Sequence, residues 1–206
     1  MEMPTPTPYT LPDLAYAPDA LEPVISARIM ELHHGTHHAA YVKASNELTE
    51  KLAALSATED PSALLRSLAF NVSGHKLHSL FWTCMSPNGG GQPAAQLTEA
   101  ICASFGTTDA LVARMTAAIE RLAGSGWSAL SWDGIGQRLV VSQIHDHQHD
   151  HAIGLEPILV IDGWEHAYYL QYEAAKPKWA AAFWDVVDWT SVGTRLSCAM
   201  TQSAMT

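Results

Sequence analysis

The run Ser86-Pro-Asn-Gly-Gly-Gly91 constrains this chain more than any other stretch: a proline that cannot donate a backbone hydrogen bond stands just before three glycines with no side chains to pack. No regular element crosses such a run, so it divides the chain. Before it, apolar residues at helical spacing (Ile25, Ile29, Leu32, Ala40, Val42, Leu48) predict a long helix from about Ala20 to Leu55, with Pro23 in its first turn. Thr58-Glu-Asp-Pro61 ends that helix, and Asp60 or Ser62 caps a second one running to about Met85. After the run, two shorter helices are expected at about 94–105 and 107–122. The apolar segments Trp127–Trp132 and Arg138–Ile144, joined by Asp133-Gly-Ile-Gly136, then read as a β-hairpin. Ile158–Ile161 reads as a third strand that stops at Asp162, and Pro177 opens a final helical pair that fades into a polar tail at 201–206.

The expected class is therefore α+β. An N-terminal unit (residues 1–90), made of an arm that is proline-rich at 5–18 and an antiparallel helical hairpin, is followed by a C-terminal domain (residues 91–206) with a small three-stranded antiparallel sheet surrounded by helices. With 206 residues, 48% of them hydrophobic, the chain can bury a substantial core. Its formal charge of -10, with only 11 Lys and Arg, argues against a nucleic-acid partner. No apolar run approaches the length of a membrane span, and no basic and apolar leader opens the chain. Cys84, Cys102 and Cys198 are widely spaced without a Cys-x-x-Cys, which suggests a reducing, cytoplasmic setting and no thiolate metal site.

Chemistry-bearing residues are concentrated among 11 histidines and 7 tryptophans. His33, His37 and Tyr41 share one face of the first helix, and the second carries His75 and His78 followed by Phe81-Trp82. Each set alone reads equally as a solvated helix face, and Asp162 with His166 reads equally as a satisfied polar strand end. Helices joined by a short connection must pack, however, and a histidine from each can meet in the seam. With Asp162 and His166 added, three imidazoles and one carboxylate converge, a nitrogen and oxygen set suited to iron, manganese or zinc.

The segments Leu11-Pro-Asp-Leu14, Ala20-Leu-Glu-Pro23, Leu32-His-His-Gly-Thr-His-His-Ala-Ala-Tyr-Val42, Phe81-Trp82, Ser86–Gly91, Gly124-Ser-Gly-Trp127, Asp162-Gly-Trp-Glu-His-Ala-Tyr-Tyr-Leu-Gln-Tyr172 and Phe183-Trp-Asp-Val-Val-Asp-Trp189 resemble the iron/manganese superoxide dismutases. The resemblance runs from about Tyr9 to Ala199. It implies His33, His78, Asp162 and His166 as ligands of one manganese or iron ion, with a solvent molecule as fifth ligand. It implies superoxide as substrate, and dioxygen and hydrogen peroxide as products.

The same resemblance implies Gln148 as outer hydrogen-bond donor to the bound solvent, with His147 as its competitor. Tyr41 and His37 form the gate and proton network, with Tyr169 reaching His37 from a second subunit. Glu165 crosses the same interface to the partner's ligand, in a homodimer or a tetramer. Trp127, Trp164, Trp82 and Phe81 wall the pocket. Gly74 stands where iron-type members carry a glutamine, which favours manganese, whereas Ser73 and His149 depart from the manganese pattern. Thr36 and Leu196 replace a usual lysine and tyrosine, so attraction of superoxide falls to Lys43 and Arg195.

The run His145-Asp-His-Gln-His-Asp-His151, if extended, lines up four histidines on one face. It reads as a solvated loop or as a surface site for zinc, copper or nickel. Two other enzyme classes fit poorly: a zinc hydrolase lacks its His-Glu-x-x-His, and a ferritin-like di-iron protein finds only Glu31-x-x-His34. A dismutase fold kept for non-catalytic metal binding is the remaining alternative.

Overall fold

The computed structural model describes residues 7–203 and has the expected α+β architecture. Residues 1–6 and 204–206, which include the start of the proline-rich arm and the end of the polar tail, lie outside the described residues. The hairpin pairs α1 and α2 (Ala27–Leu32 and Ala39–Ala54, joined by a π-helical turn at His33–His38) with α3 (Ser62–Thr83). The first helix starts later than its apolar pattern suggests. Residues 18–25 form turns because Pro18 and Pro23 disfavour helical backbone at the positions before them, and Ser26 caps α1 by accepting from the Ile29 N–H at 3.4 Å. Leu21, Val24 and Ile25 are buried all the same. The arm is tied to α2, where the Asn46 amide accepts from the Tyr9 N–H at 2.8 Å and donates to its carbonyl at 2.9 Å.

The glycine-rich run docks rather than dangles. Ser86 N–H donates to Val186 O and Gly90 N–H to Val187 O, and Gly90 has φ +80, a conformation other residues resist. The end of α3 is thus fastened to the connection that precedes the last helix.

Beyond it lie α4 (Ala95–Phe105) and α5 (Thr108–Glu120), then β1 (Gly126–Asp133), β2 (Arg138–His145) and β3 (Leu155–Asp162). The sheet is antiparallel in the order β2-β1-β3. Asp133 forms the hairpin turn by accepting from the N–H groups of Ile135 and Gly136. Pro157 is tolerated because β3 is an edge strand. Helices cover the sheet, so β1 is buried along almost its whole length. A 3-10 turn at Glu165–Ala167, α6 (Tyr169–Tyr172), α7 (Lys176–Ala182) and α8 (Trp189–Ser203) complete the chain. One apolar core runs from Ile25 and Ile29 through Phe81 and Trp127 to Phe183. The register that pairs Trp127 with Asp162 fixes the end of β3 at the seam between hairpin and sheet.

Candidate metal centre

His33 enters the seam from the π-helical turn, His78 from α3, Asp162 from the last residue of β3, and His166 from the 3-10 turn after it. Their donor atoms lie within 4.8 Å of one another. Asp162 Oδ2 is 3.1 Å from His33 Nε2, 3.3 Å from His166 Nε2 and 3.8 Å from His78 Nε2. All four atoms are buried and none has a hydrogen-bond partner among the described residues. Four unpartnered polar atoms facing one another in a buried seam would cost several kcal/mol together, at about 1–3 kcal/mol each. A cation among them satisfies all four.

The atoms behind them prepare these donors. His78 Nδ1 donates to the Gly74 carbonyl at 2.6 Å, which leaves the Nε2 lone pair free. Asp162 Oδ1 accepts from the Trp164 N–H at 2.8 Å, and its carbonyl accepts from the Trp179 indole at 2.7 Å. Burial pushes the His33 imidazolium down to about 4 and that of His78 well below its ordinary value, so both rings are neutral. Burial alone would raise the Asp162 carboxyl; His166 and His33 outweigh it and hold it well below the usual carboxylate range. Neutral imidazoles and an ionised carboxylate are the forms a metal takes.

An aromatic wall surrounds the cluster. His37 stacks on His166 with ring centroids 4.5 Å apart, and Trp164 stacks on His147 at 4.6 Å. Tyr41 stands 4.8 Å from the His147 ring and 5.1 Å from that of His78, with its phenol pushed upward by burial. Trp127 and Trp82 stand edge-on to His78 and His33, and Phe81 lies 5.6 Å from the His33 ring.

Two family models match this chain. The α-hairpin domain of the iron/manganese superoxide dismutases matches residues 8–86, and their C-terminal domain matches residues 93–195. The chain belongs to the iron/manganese superoxide dismutase family. It is 47% identical over 198 residues to a superoxide dismutase [Fe] of Mycobacterium tuberculosis, covering 95% of this chain and 96% of that one. It is also 47% identical over 197 residues to a superoxide dismutase [Mn] of Nocardia asteroides, covering 94% and 95% respectively. A superoxide dismutase [Mn] of Mycolicibacterium smegmatis is 45% identical over 199 residues, covering 95% of this chain and 96% of the relative.

Within this dismutase family member, the two residues expected to compete as outer donor, Gln148 and His147, are placed differently. His147 is buried against the cluster, whereas the Gln148 amide accepts from the His147 N–H and turns to His149 at 3.1 Å. The cause is a tight turn. His145 and His149 exchange two backbone hydrogen bonds of 3.1 Å, and Asp146 takes φ +50, which rotates His147 inward. The same turn rules out the extended His145–His151 face: His145 Nδ1 meets Asp150, His151 meets the Leu155 carbonyl, and His147 is inside. Among the described residues the only multi-ligand group is the one at Asp162.

The cations expected to draw in superoxide, Arg195 and Lys43, differ in their surroundings. Arg195 donates to the carbonyls of Ile158 and Thr83, and Lys43 lies 3.4 Å from Glu47. Glu165 and Tyr169 are exposed, so within one chain neither joins the cluster. Sequence reasoning missed Trp179, whose helix carries no periodic signal toward Asp162. It also missed the partner of His75, which meets His38 Nε2 at 2.8 Å instead of joining the four donors, while His38 Nδ1 accepts from Trp82 at 2.9 Å.

Proposed function

We propose that this chain is a superoxide dismutase that works with one manganese or iron ion per subunit, held by His33, His78, Asp162 and His166. The observation that carries the reading is the set of four buried, mutually facing and unpartnered donor atoms, in a member of this family. Iron or manganese held there would supply a one-electron couple that takes an electron from one superoxide and returns it to a second, giving dioxygen and, with two protons, peroxide.

The chain's own residues control what reaches that couple and how protons arrive. The Trp127 indole can only donate, so His147 Nδ1 accepts at 3.0 Å and the neutral ring carries its proton on Nε2. Burial pushes the His147 imidazolium down to about 4, so the ring is neutral at ordinary pH. Its Nε2–H is buried without an acceptor, which makes it a donor ready for a small oxygen species. Tyr41 and His37 stand on the outer side as gate and proton path, and the stacked Trp164 excludes larger molecules.

Gly74 supports manganese in this reading. A Cβ there would lie 3.1 Å from both His147 and Tyr41, so position 74 and position 147 compete for one space and here the side chain comes from 147. The exposed Glu165 and Tyr169 fit residues that serve the second subunit of a homodimer. The division into residues 1–90 and 91–206 belongs to the same proposal, since each side contributes two of the four donors. So does a cytoplasmic setting, which three free cysteines favour.

The test loads metal-free protein separately with manganese and with iron, then measures metal content and superoxide consumption on the same preparation. Activity proportional to occupancy is expected, with the manganese form at least as active as the iron form. Fully metallated protein that leaves superoxide untouched would sink the catalytic reading. An inactive manganese form beside an active iron form would sink the metal preference alone.

A further inference from the structure

A hollow of about 510 Å³, lined by none of the four donors, opens between α3 and the loop leading into β3. Its size lies in the range of small-molecule sites, roughly 300–1,000 Å³. Leu77, Leu80, Ile144 and Pro157 form an apolar floor, with Ile144 and Leu77 themselves buried.

The charge around this floor runs against the rest of the molecule. In a chain of formal charge -10, the hollow gathers Lys76 and Arg195. Arg195 spends its donors on neutral groups, namely Ile158 O, Thr83 O and Oγ1, and Cys84 Sγ, and forms no ion pair with a carboxylate among the described residues. Lys76 has no ion-pair partner among the described residues, and Glu156 is the one acidic side chain of the lining. His151 lines the hollow with its Nε2–H donated to the Leu155 carbonyl. An apolar floor beside Lys76 and Arg195, against the single acid Glu156, is the complement of a flat apolar body with one negative group.

We propose that this hollow binds a small amphipathic anion, of the class of aromatic carboxylates and sulfonates. His147 contributes to its wall, so an occupant would touch the residue that also lines the metal centre.

Anilinonaphthalene sulfonate, titrated into the native metal-loaded protein by fluorescence and calorimetry, tests this. Saturable binding of one probe per chain is expected. Lys76→Glu should weaken it at least tenfold, as should Leu80→Asn, while the same charge change in Lys178→Glu, on α7, should leave it unaltered. Native protein that binds no probe overturns the proposal, as does binding that both hollow variants leave unchanged. Light scattering in which Lys76→Glu or Leu80→Asn dissociates an assembly of copies also overturns it, because the hollow is then an interface.

Discussion

Trp127 donates its indole N–H to Nδ1 of His147 across 3.0 Å, and this single bond decides which ring nitrogen of the histidine faces the site with a proton. Trp127→Phe keeps an aromatic ring in a fully buried position but removes the donor. His147 would then be free to change tautomer or turn. Outer-shell partners of this kind are worth about 10- to 100-fold in activity. The expected result is a loss of turnover in that range with metal content retained, read from steady-state superoxide consumption and metal analysis. Unchanged turnover would mean that the tautomer of His147 has no part in the reaction.

Positions 147 and 148 should separate cleanly. His147 is buried against Trp164 and Tyr41, while the Gln148 side chain meets His149 at an exposed edge. Gln148→Ala should leave activity within about twofold, and His147→Ala should lower it by about tenfold or more. The reverse order, measured on variants of equal metal content, would reinstate the glutamine as the outer donor.

Gly74→Ala offers a test of the shared space. Alanine ordinarily stabilises a helix interior by about 0.5–1 kcal/mol over glycine. Here the new methyl meets His147 and Tyr41 ring atoms at 3.1 Å, and overpacking typically costs about 1–3 kcal/mol. The net expectation is a loss of about 1 kcal/mol in urea unfolding of the metal-loaded protein. A stabilised variant would show that both rings have room to move.

How the site could be read in advance depends on the kind of constraint. The hairpin follows from apolar periodicity, and the metal donors from the coincidence of helical histidines with Asp162 and His166. The inward choice of His147 does not follow, because it hangs on a one-residue question of register set by the His145–His149 bridge and a positive φ at Asp146. The start of the first helix misleads for a related reason: Leu21, Val24 and Ile25 are buried as a helix would bury them, yet Pro18 and Pro23 hold that segment in turns. Periodicity reports which residues are inside, and local backbone rules decide by what path they arrive.

Acid should unfold the metal-free protein in a defined window. Burial depresses His33 to about 4 and His38 to about 3, and holds His78 well below its ordinary value of 6.5. Between pH 6.5 and about 4 the unfolded chain therefore binds protons that the folded chain refuses, so stability falls as pH falls. Each such group contributes a slope approaching about 1.4 kcal/mol per pH unit. Asp162, depressed as well, adds to the loss at still lower pH, in the same direction. Urea unfolding of metal-free protein at pH 7.5, 6 and 5, values chosen to bracket the window at roughly unit spacing, should show a steep decline, and a flat profile would mean that these histidines are solvated in the metal-free state.

Glu165 tests whether metal binding and assembly depend on each other. It precedes the ligand His166 in the chain, yet its carboxylate is exposed, as is half of Tyr169 four residues on. A charged residue held beside the proposed ligand, without a partner among the described residues, is explained if it bonds to the neighbouring subunit's site. Glu165→Ala should then lower both the retained metal and the association of subunits, with the two losses appearing together in metal analysis and light scattering across a dilution series. Glu165→Gln keeps the hydrogen-bonding shape and should recover part of each. A fully metallated alanine variant that associates like the native protein would leave Glu165 as an ordinary surface carboxylate and break the proposed link between the two subunits' sites.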